Sequence, residues 1–513
     1  MTYKQEKQQI ISEYLKLHEQ YFKETGRANL PRKVYRLRTN VSEDRVRLHF
    51  GGYKGLRNAS MKKLKSQSRE DVDIKLNADQ TINQRYIVSS IVEGSPINKS
   101  FFNALKLYCK KNNARLLLLW MKGVYKNDRF NQAELKQFEP YLVTNFKFNK
   151  NLEARDFLLS PLQMLPLSGL DRFGSKKTSL IVASTKQMMT SVPRPKLETP
   201  HIVYSTGTIS VPTYTTSRNG ALAKQDNKLG ALVVEVVSDK YFYIRNVEWL
   251  NNCFVDLGKA YYEDKVKKMD CKVMVWGDLH LGEECPTALR SSLNQAKFFK
   301  PDQIFLHDLI SFNSISHHNF GKYLSKVFVK EKINTLQKEL QYAKDQLDFI
   351  NHSVDSELVV VSSNHDEFLF KYCNSGQFLK DTPNAILGAK CFIKYEMGIN
   401  PIEDYMNMKD VIFLQRDQSY KVKDIECGIH GHDGANGAKG SPMGFRNSYD
   451  KIIVGHSHSP KIINDVYYVG TLSRLNLSYN RGSSSWLHAN SVIYDNGGRQ
   501  LILWVESENW KMA

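Results

Sequence analysis

No stretch of the 513-residue chain approaches the roughly 18 uninterrupted apolar residues of a membrane-spanning helix, so no membrane association is expected. The first nine residues, Met1 to Gln9, are polar and lack the apolar core of a secretory signal, which predicts a cytoplasmic protein. Cysteine is sparse. The seven (109, 253, 271, 285, 373, 391 and 427) are scattered and never spaced C-x-x-C, which argues against a disulfide framework or a thiolate zinc cage. Acidic residues are also short, at 53 against 72 Lys and Arg, a net charge of +19. With 41% apolar and 24% charged residues the composition is that of a folded globular chain, not a disordered one. At roughly 100–200 residues per domain, about three domains are expected.

The positive charge is concentrated. Between Gly26 and Arg69 stand thirteen basic residues, among them Arg27, Arg32, Lys33, Arg36, Arg38, Arg45, Arg47, Lys54 and Arg57, against only Glu43 and Asp44. Such density, with aromatic residues interleaved, is an electrostatic footprint for a polyanion. Helical spacing runs through this part. Ile10, Ile11, Tyr14, Leu15, Tyr21 and Phe22 recur at three- and four-residue steps over residues 4–24, and Thr25-Gly26 ends the pattern. Pro31 can open a second short helix, Ser42 can cap a third, and Tyr53 to Leu64 predicts a fourth. This stretch resembles the small helical repeat that accompanies homing endonucleases and phage helicases: Thr25-Gly26-Arg27, Pro31, Tyr35, Ser42, Val46, then Phe50-Gly51-Gly52-Tyr53-Lys54-Gly55-Leu56, with one extra glycine. The resemblance implies DNA binding by residues 1–66, with Arg and Lys on phosphates.

Residues 67–84 are polar and read as a linker. From 85 to 265 the rhythm is β-α-β: strands at Tyr86–Val88, Leu116–Trp120, Ser179–Val182, His201–Tyr204 and Ala231–Val237, and a helix over Lys99–Lys111. This is an α/β domain whose role the sequence does not disclose. One fragment, Gly169 to Thr178, is similar to a phosphate-cradling loop, but a residue intrudes between its second glycine and the lysine and no clear strand precedes it. No nucleotide triphosphatase site follows, and any ATP dependence would require an accessory protein partner.

The chemistry lies in residues 266–513. Five apolar, β-branched runs each end in ligand-type side chains: Asp278-Leu-His280, Asp308, Asn364-His365, His430 and His456-Ser-His458. Alternation along an extended strand puts residues two apart on one side, so Asp278 and His280 can reach a single ion. Taken singly, a histidine at a strand end is usually structural. Five such endings in one segment are oxygen and imidazole donors suited to divalent manganese, iron or zinc, at strand tips where α/β sites form.

The order Asp-x-His, Asp, Asn-His, His, Gly-His-x-His resembles the calcineurin-like metallophosphoesterase superfamily. That resemblance implies an α/β fold: a C-terminal β-sandwich flanked by helices, beside the middle α/β domain and the small helical DNA-binding module. It implies that Asp278, His280 and His458 hold one metal, that Asn364, His430 and His456 hold a second, and that Asp308 bridges them. His365 would act as proton donor or transition-state stabiliser without ligating. The family usually has Gly where this chain has His307 and Ser363, and Asp where it has Ser311. Loss of that Asp is also seen in the Mre11/SbcD-like nuclease branch, which favours a nuclease. His317 and His318 read as surface residues, Lys322 to Ile350 as a flanking helix, and Gly431–Gly444 with Ser473–Arg481 as the rim of the site. Arg474 and Arg481 there are candidates for substrate phosphate contacts.

These readings combine into a two-metal-dependent DNase. The combination is similar to the pre-early, host-DNA-degrading proteins of tailed bacteriophages, which implies Mn2+ as the working ion (Mg2+ or Fe2+ as alternatives), the host bacterial cytoplasm, DNA as partner and symmetric self-assembly. Two other readings stand beside it: a phosphodiesterase or phosphatase on nucleotides or proteins, and a non-catalytic DNA-binding takeover protein.

Overall fold

The computed structural model describes residues 3–25, 30, 32–50, 53–56, 59–60, 84–124, 138–174, 178–316, 334–477, 480–505 and 507–512. The chain forms two compact units, Met1–Ile82 and Asn83–Ala513. Among the described residues no helix is long and apolar enough to cross a membrane.

The first unit is helical: α1 (Tyr3–Thr25), α2 (Arg32–Arg38) and α3 (Glu43–Phe50). Its core is Ile10, Ile11, Tyr14 and Tyr21 from one face of α1, closed by Leu30, Tyr35, Val46 and Leu56. Tyr14, Tyr35 and Tyr53 pack with ring centroids 5.5–5.9 Å apart, so the interleaved aromatics build this small core. Ser42 caps α3, its hydroxyl accepting from the Arg45 amide at 3.4 Å. Lys33, Arg36, Arg38, Arg45, Arg47 and Lys54 are exposed. Three of them face carboxylates of the unit: Arg36 with Glu43, Arg38 with Glu24 and Arg45 with Glu6. Arg27, Arg57 and the side chain of Arg32 lie outside the described residues.

The second unit is mixed α/β. It opens with β1 (Gln84–Val92), α4 (Lys99–Asn112) and β2 (Ala114–Met121), the two strands parallel as a helix crossover requires. Asn98 caps α4 through its side chain. After a single helical turn at Asp171–Gly174, part of the fragment rejected as a phosphate loop, come β3 (Met189–Val192) and β4 (His201–Ser205), then β5 (Gly230–Val236) and β6 (Phe242–Glu248). A five-stranded sheet runs β6-β5-β1-β2 and ends on Leu142–Val143.

The C-terminal part supplies β7 (Cys271–Val275), α5 (Pro286–Phe299), β8 (Gln303–Leu306), α6 (Leu336–Ser353), β9 (Glu357–Val360), α7 (Asp366–Asn374) and β10 (Val411–Phe413). They are followed by β11 (Ile425–Glu426), β12 (Ile452–Val454), β13 (Lys461–Ile463), β14 (Val466–Tyr468), β15 (His488–Tyr494) and β16 (Arg499–Trp504). One six-stranded sheet has the order β10-β9-β8-β7-β15-β16, and β7 to β10 are parallel. Its strands are buried along almost their whole length, as expected where helices cover a parallel sheet. Helices α5 and α6 pack Leu293, Phe299, Leu340 and Leu347 into a core shared with Trp276, Ile304 and Leu358. Thr335 caps α6; residues 322–333 of the expected helix, like His317 and His318, lie outside the described residues.

A ten-stranded sheet contains β11-β12-β14-β13-β3-β4, with β11, β12 and β14 parallel. Here the expected division at residues 265/266 is crossed. Strand β13 pairs antiparallel with β3, Lys461 opposite Thr190 and Ile462 opposite Met189, so both segments share one sheet. Asn246 of β6 ties three sheets together, donating to the Tyr467 hydroxyl and the Arg499 carbonyl at 3.0 Å each. The expected linker, residues 67–84, lies outside the described residues except for Gln84, which opens β1.

Candidate metal centre

The parallel strands of the six-stranded and ten-stranded sheets lead into the same small volume. β7 runs on to Asp278 and His280, β8 to Asp308, and β9 to Asn364 and His365. From the second sheet β11 runs on to His430, and β12 to His456 and His458. Four of these residues have left-handed backbone: His280 at φ +49°, Asp308 at +45°, His456 at +67° and His458 at +53°. That region costs a non-glycine residue on the order of 1 kcal/mol, and persists where the surrounding structure over-determines it. Gly455 gives the remaining clearance. A Cβ there would lie 2.2 Å from Asp278 Oδ1 and 3.1 Å from His307 Cβ, so no side chain fits.

The seven side chains meet in two linked groups. In the first, His458 Nε2 lies 3.2 Å from Asp278 Oδ2 and 2.9 Å from His280 Nε2. In the second, Asn364 Oδ1 lies 3.0 Å from His430 Nε2 and 2.9 Å from His456 Nδ1. Asp308 joins them through one atom: its Oδ2 is 3.5 Å from His280 Nε2 and 3.2 Å from His430 Nε2. His365 stands beside the centre without entering either group. Its Nδ1–H can donate to the Ser311 carbonyl at 3.0 Å, and its ring centroid is 4.7 Å from that of His280.

Asp278 Oδ1, Asp308 Oδ1 and His458 Nδ1 are buried and make no hydrogen bond. Leaving such atoms unpaired costs about 1–3 kcal/mol each, more when charged, and a cation among them removes the penalty. Asp278, His280, Asp308 and His458, whose donor atoms all lie within 4.8 Å of one another, could hold a metal ion. A set of oxygen and imidazole donors without thiolate suits manganese, iron(II) or zinc.

Burial and charge shape the protonation of the centre. Burial pulls His280 down to about 3 and His456 to about 4, leaving neutral imidazoles with lone pairs to donate. His430 goes the other way: burial opposes its charge, but the carboxylates of Asp308 and Asp278 outweigh it and raise the ring to about 9. Burial likewise opposes ionisation of Asp308, and His430, His365 and His280 hold it well below the usual carboxylate range.

Three further residues lie where sequence reasoning assigned no role. His307, in the position where glycine was expected, is fully buried with Nδ1 3.3 Å from Nδ1 of His430. Ser311, where an acid was expected, holds its hydroxyl 3.4 Å from His280 Nδ1. His432 joins Glu367 and Asp433 in a second cluster of ligand-type atoms. The signal for it was in the sequence as a His-x-His pair. Arg474 and Arg481 are exposed on the segment after β14, and Arg474 donates its backbone amide to the Glu283 carbonyl at 3.0 Å.

Over 459 residues the chain is 29% identical to Protein A1 of Escherichia phage T5, a match covering 82% of this chain and 81% of that protein. No family model and no solved structure matches. The similarity to Protein A1 is consistent with a phage-encoded chain.

Proposed function

We propose that this protein is a phage-encoded, two-metal-dependent DNase that hydrolyses the phosphodiester bonds of host DNA in the bacterial cytoplasm. In this reading residues 266–513 have the calcineurin-like metallophosphoesterase arrangement, of the Mre11/SbcD-like branch. The observation that carries it is the single carboxylate oxygen of Asp308 standing between His280 and His430, one from each ligand group. A carboxylate so placed is what a bridge between two cations needs.

Asp278, His280 and His458 would hold one ion, and Asn364, His430 and His456 the other, most naturally Mn2+. When bound, such a pair lowers the pKa of an attacking water and neutralises charge developing on phosphorus. The chain's own residues do the rest. His365, with Nδ1–H committed to the Ser311 carbonyl, has Nε2 left to hold the proton delivered to the departing alkoxide. Trp486 packs on His458 at 4.2 Å between ring centroids and shields that side of the centre from water. The basic N-terminal unit would bind the phosphate backbone without reading sequence.

The test is a metal-by-metal digestion of linear, circular and single-stranded DNA, run beside a chromogenic phosphodiester. Cleavage of DNA with Mn2+, abolished in Asp308→Ala and His365→Ala proteins that retain their circular dichroism, is the expected result. Activity on the small ester alone would replace a nuclease with a phosphodiesterase. DNA retardation without cleavage in any metal would end the catalytic reading.

A further inference from the structure

Next to the centre lies a second group of ligand-type side chains that the DNase reading does not use. Glu367 is in the first turn of α7, two residues after His365, and His432 and Asp433 follow His430. Gly431, at φ +108°, turns the backbone between the two histidines, and a Cβ there would meet Val454 at 2.9 Å. His432 Nε2 lies 3.5 Å from Glu367 Oε1 and 3.4 Å from Asp433 Oδ2. Those distances exceed the 2.7–3.2 Å of ordinary N–H···O bonds. Both ring nitrogens of His432 are shielded from solvent and make no hydrogen bond. An imidazole packed between two carboxylates yet bonded to neither is poorly explained as a structural triad. The spacing does match coordination: ligands about 2.1 Å from a common ion, at 90–110° to one another, lie about 3.0–3.5 Å apart.

Charge points the same way. Arg416, 58% exposed, spans the cluster with Nη1 3.1 Å from Glu367 Oε1 and Nη2 2.8 Å from Asp433 Oδ2, and Lys371 pairs with Glu367 at 2.8 Å. Asp417 adds a third carboxylate 3.7 Å from Arg416 Nε. Three carboxylates against two cations leave this rim negative, an unfavourable surface for a phosphate backbone. A divalent ion would reverse its sign.

We infer that Glu367, His432 and Asp433 form an additional divalent-cation site, whose two carboxylates also pair with Arg416 and which binds substrate phosphate when loaded. The ring of His432 is 6.0 Å from that of His456 and 5.5 Å from that of His430, so an ion held there would flank the hydrolytic centre. Its open coordination positions would take an oxygen of a neighbouring phosphate. The phosphate-binding role rests on the DNase reading; the cation site does not.

Equilibrium dialysis of the full chain against Mn2+, followed by counting of bound manganese, tests it. The unaltered protein should bind three ions, and Glu367→Gln and His432→Ala should each bind one fewer. Arg416→Gln should keep all three and bind the last a few-fold more tightly, because the competing guanidinium is gone. Asp308→Ala should lose ions that Glu367→Gln retains. Equal counts in the unaltered and Glu367→Gln proteins, or loss of an ion in Arg416→Gln, would overturn the proposal. If Asp308→Ala keeps the full count while Glu367→Gln loses one, the additional site stands and the dinuclear centre falls.

Discussion

Nε2 of His280 faces Nε2 of His458 at 2.9 Å, with both rings buried. Two imidazole nitrogens at that distance repel unless a proton or a cation lies between them. Cation binding should therefore stabilise the fold, by about 2.7 kcal/mol at a hundred times the dissociation constant. Thermal unfolding with and without Mn2+ should show an upward shift that is reduced in His458→Ala, whose protein without Mn2+ unfolds no earlier than the unaltered one. An undiminished shift in that variant would remove His458 from the centre.

Proton release is the second expectation. His430 has its folded pKa raised to about 9 by Asp308 and Asp278, so the metal-free centre carries a proton on this ring at neutral pH. A raised pKa means that the His430–Asp308 pair stabilises the metal-free fold fully below about 6.5 and that this stabilisation is lost as pH rises through about 9. Metal must displace that proton. Apparent Mn2+ affinity should fall by about tenfold for each pH unit below 9. Calorimetry at pH 7.5 in buffers of different ionisation enthalpy should register the released proton, and identical enthalpies would refute it.

His307 is expected to act through its neighbour. With Nδ1 3.3 Å from Nδ1 of His430, it fixes which nitrogen of that ring faces Asp308 and Asn364. Removal of such a supporting partner lowers metal affinity or activity by about 10–100-fold. His307→Ala should show a loss in that range by Mn2+ titration. Gly455→Ala should lose more, because its methyl would enter the space of Asp278 Oδ1. Unchanged titrations in both would leave the packing around Asp278 and His430 without functional weight.

The strand tips were legible in the sequence because an apolar run ending in Asp, Asn or His is a local pattern. What joins them was not. The pairing of β13 with β3, Ile462 opposite Met189, is a contact between distant segments, and no periodicity within either one announces it. The left-handed turns at His280, Asp308, His456 and His458 were equally hidden, since none of the four is itself a glycine. His307 was noticed only as a departure from glycine, because its use depends on the ring of His430, far along the chain. In the N-terminal unit, helical spacing located α1 to α3, but the ion pairs of Arg36, Arg38 and Arg45 with Glu43, Glu24 and Glu6 could not be foreseen.

Those ion pairs sharpen one expectation for DNA. Lys33, Arg47 and Lys54 are exposed cations of the first unit, and each phosphate contact contributes about 0.9 to the slope of log affinity against log salt. The triple alanine variant should lower that slope by about 2–3, weaken binding equally for unrelated DNA sequences, and leave Mn2+ binding untouched. An unaltered slope would move DNA binding away from this surface.

Most direct of all is diffraction from Mn2+-loaded crystals at the manganese absorption edge. Two anomalous peaks about 3.5–4 Å apart, one on either side of Asp308 Oδ2, are the expected result. A single peak, or none within coordinating distance of Asp308, would contradict a dinuclear hydrolytic centre.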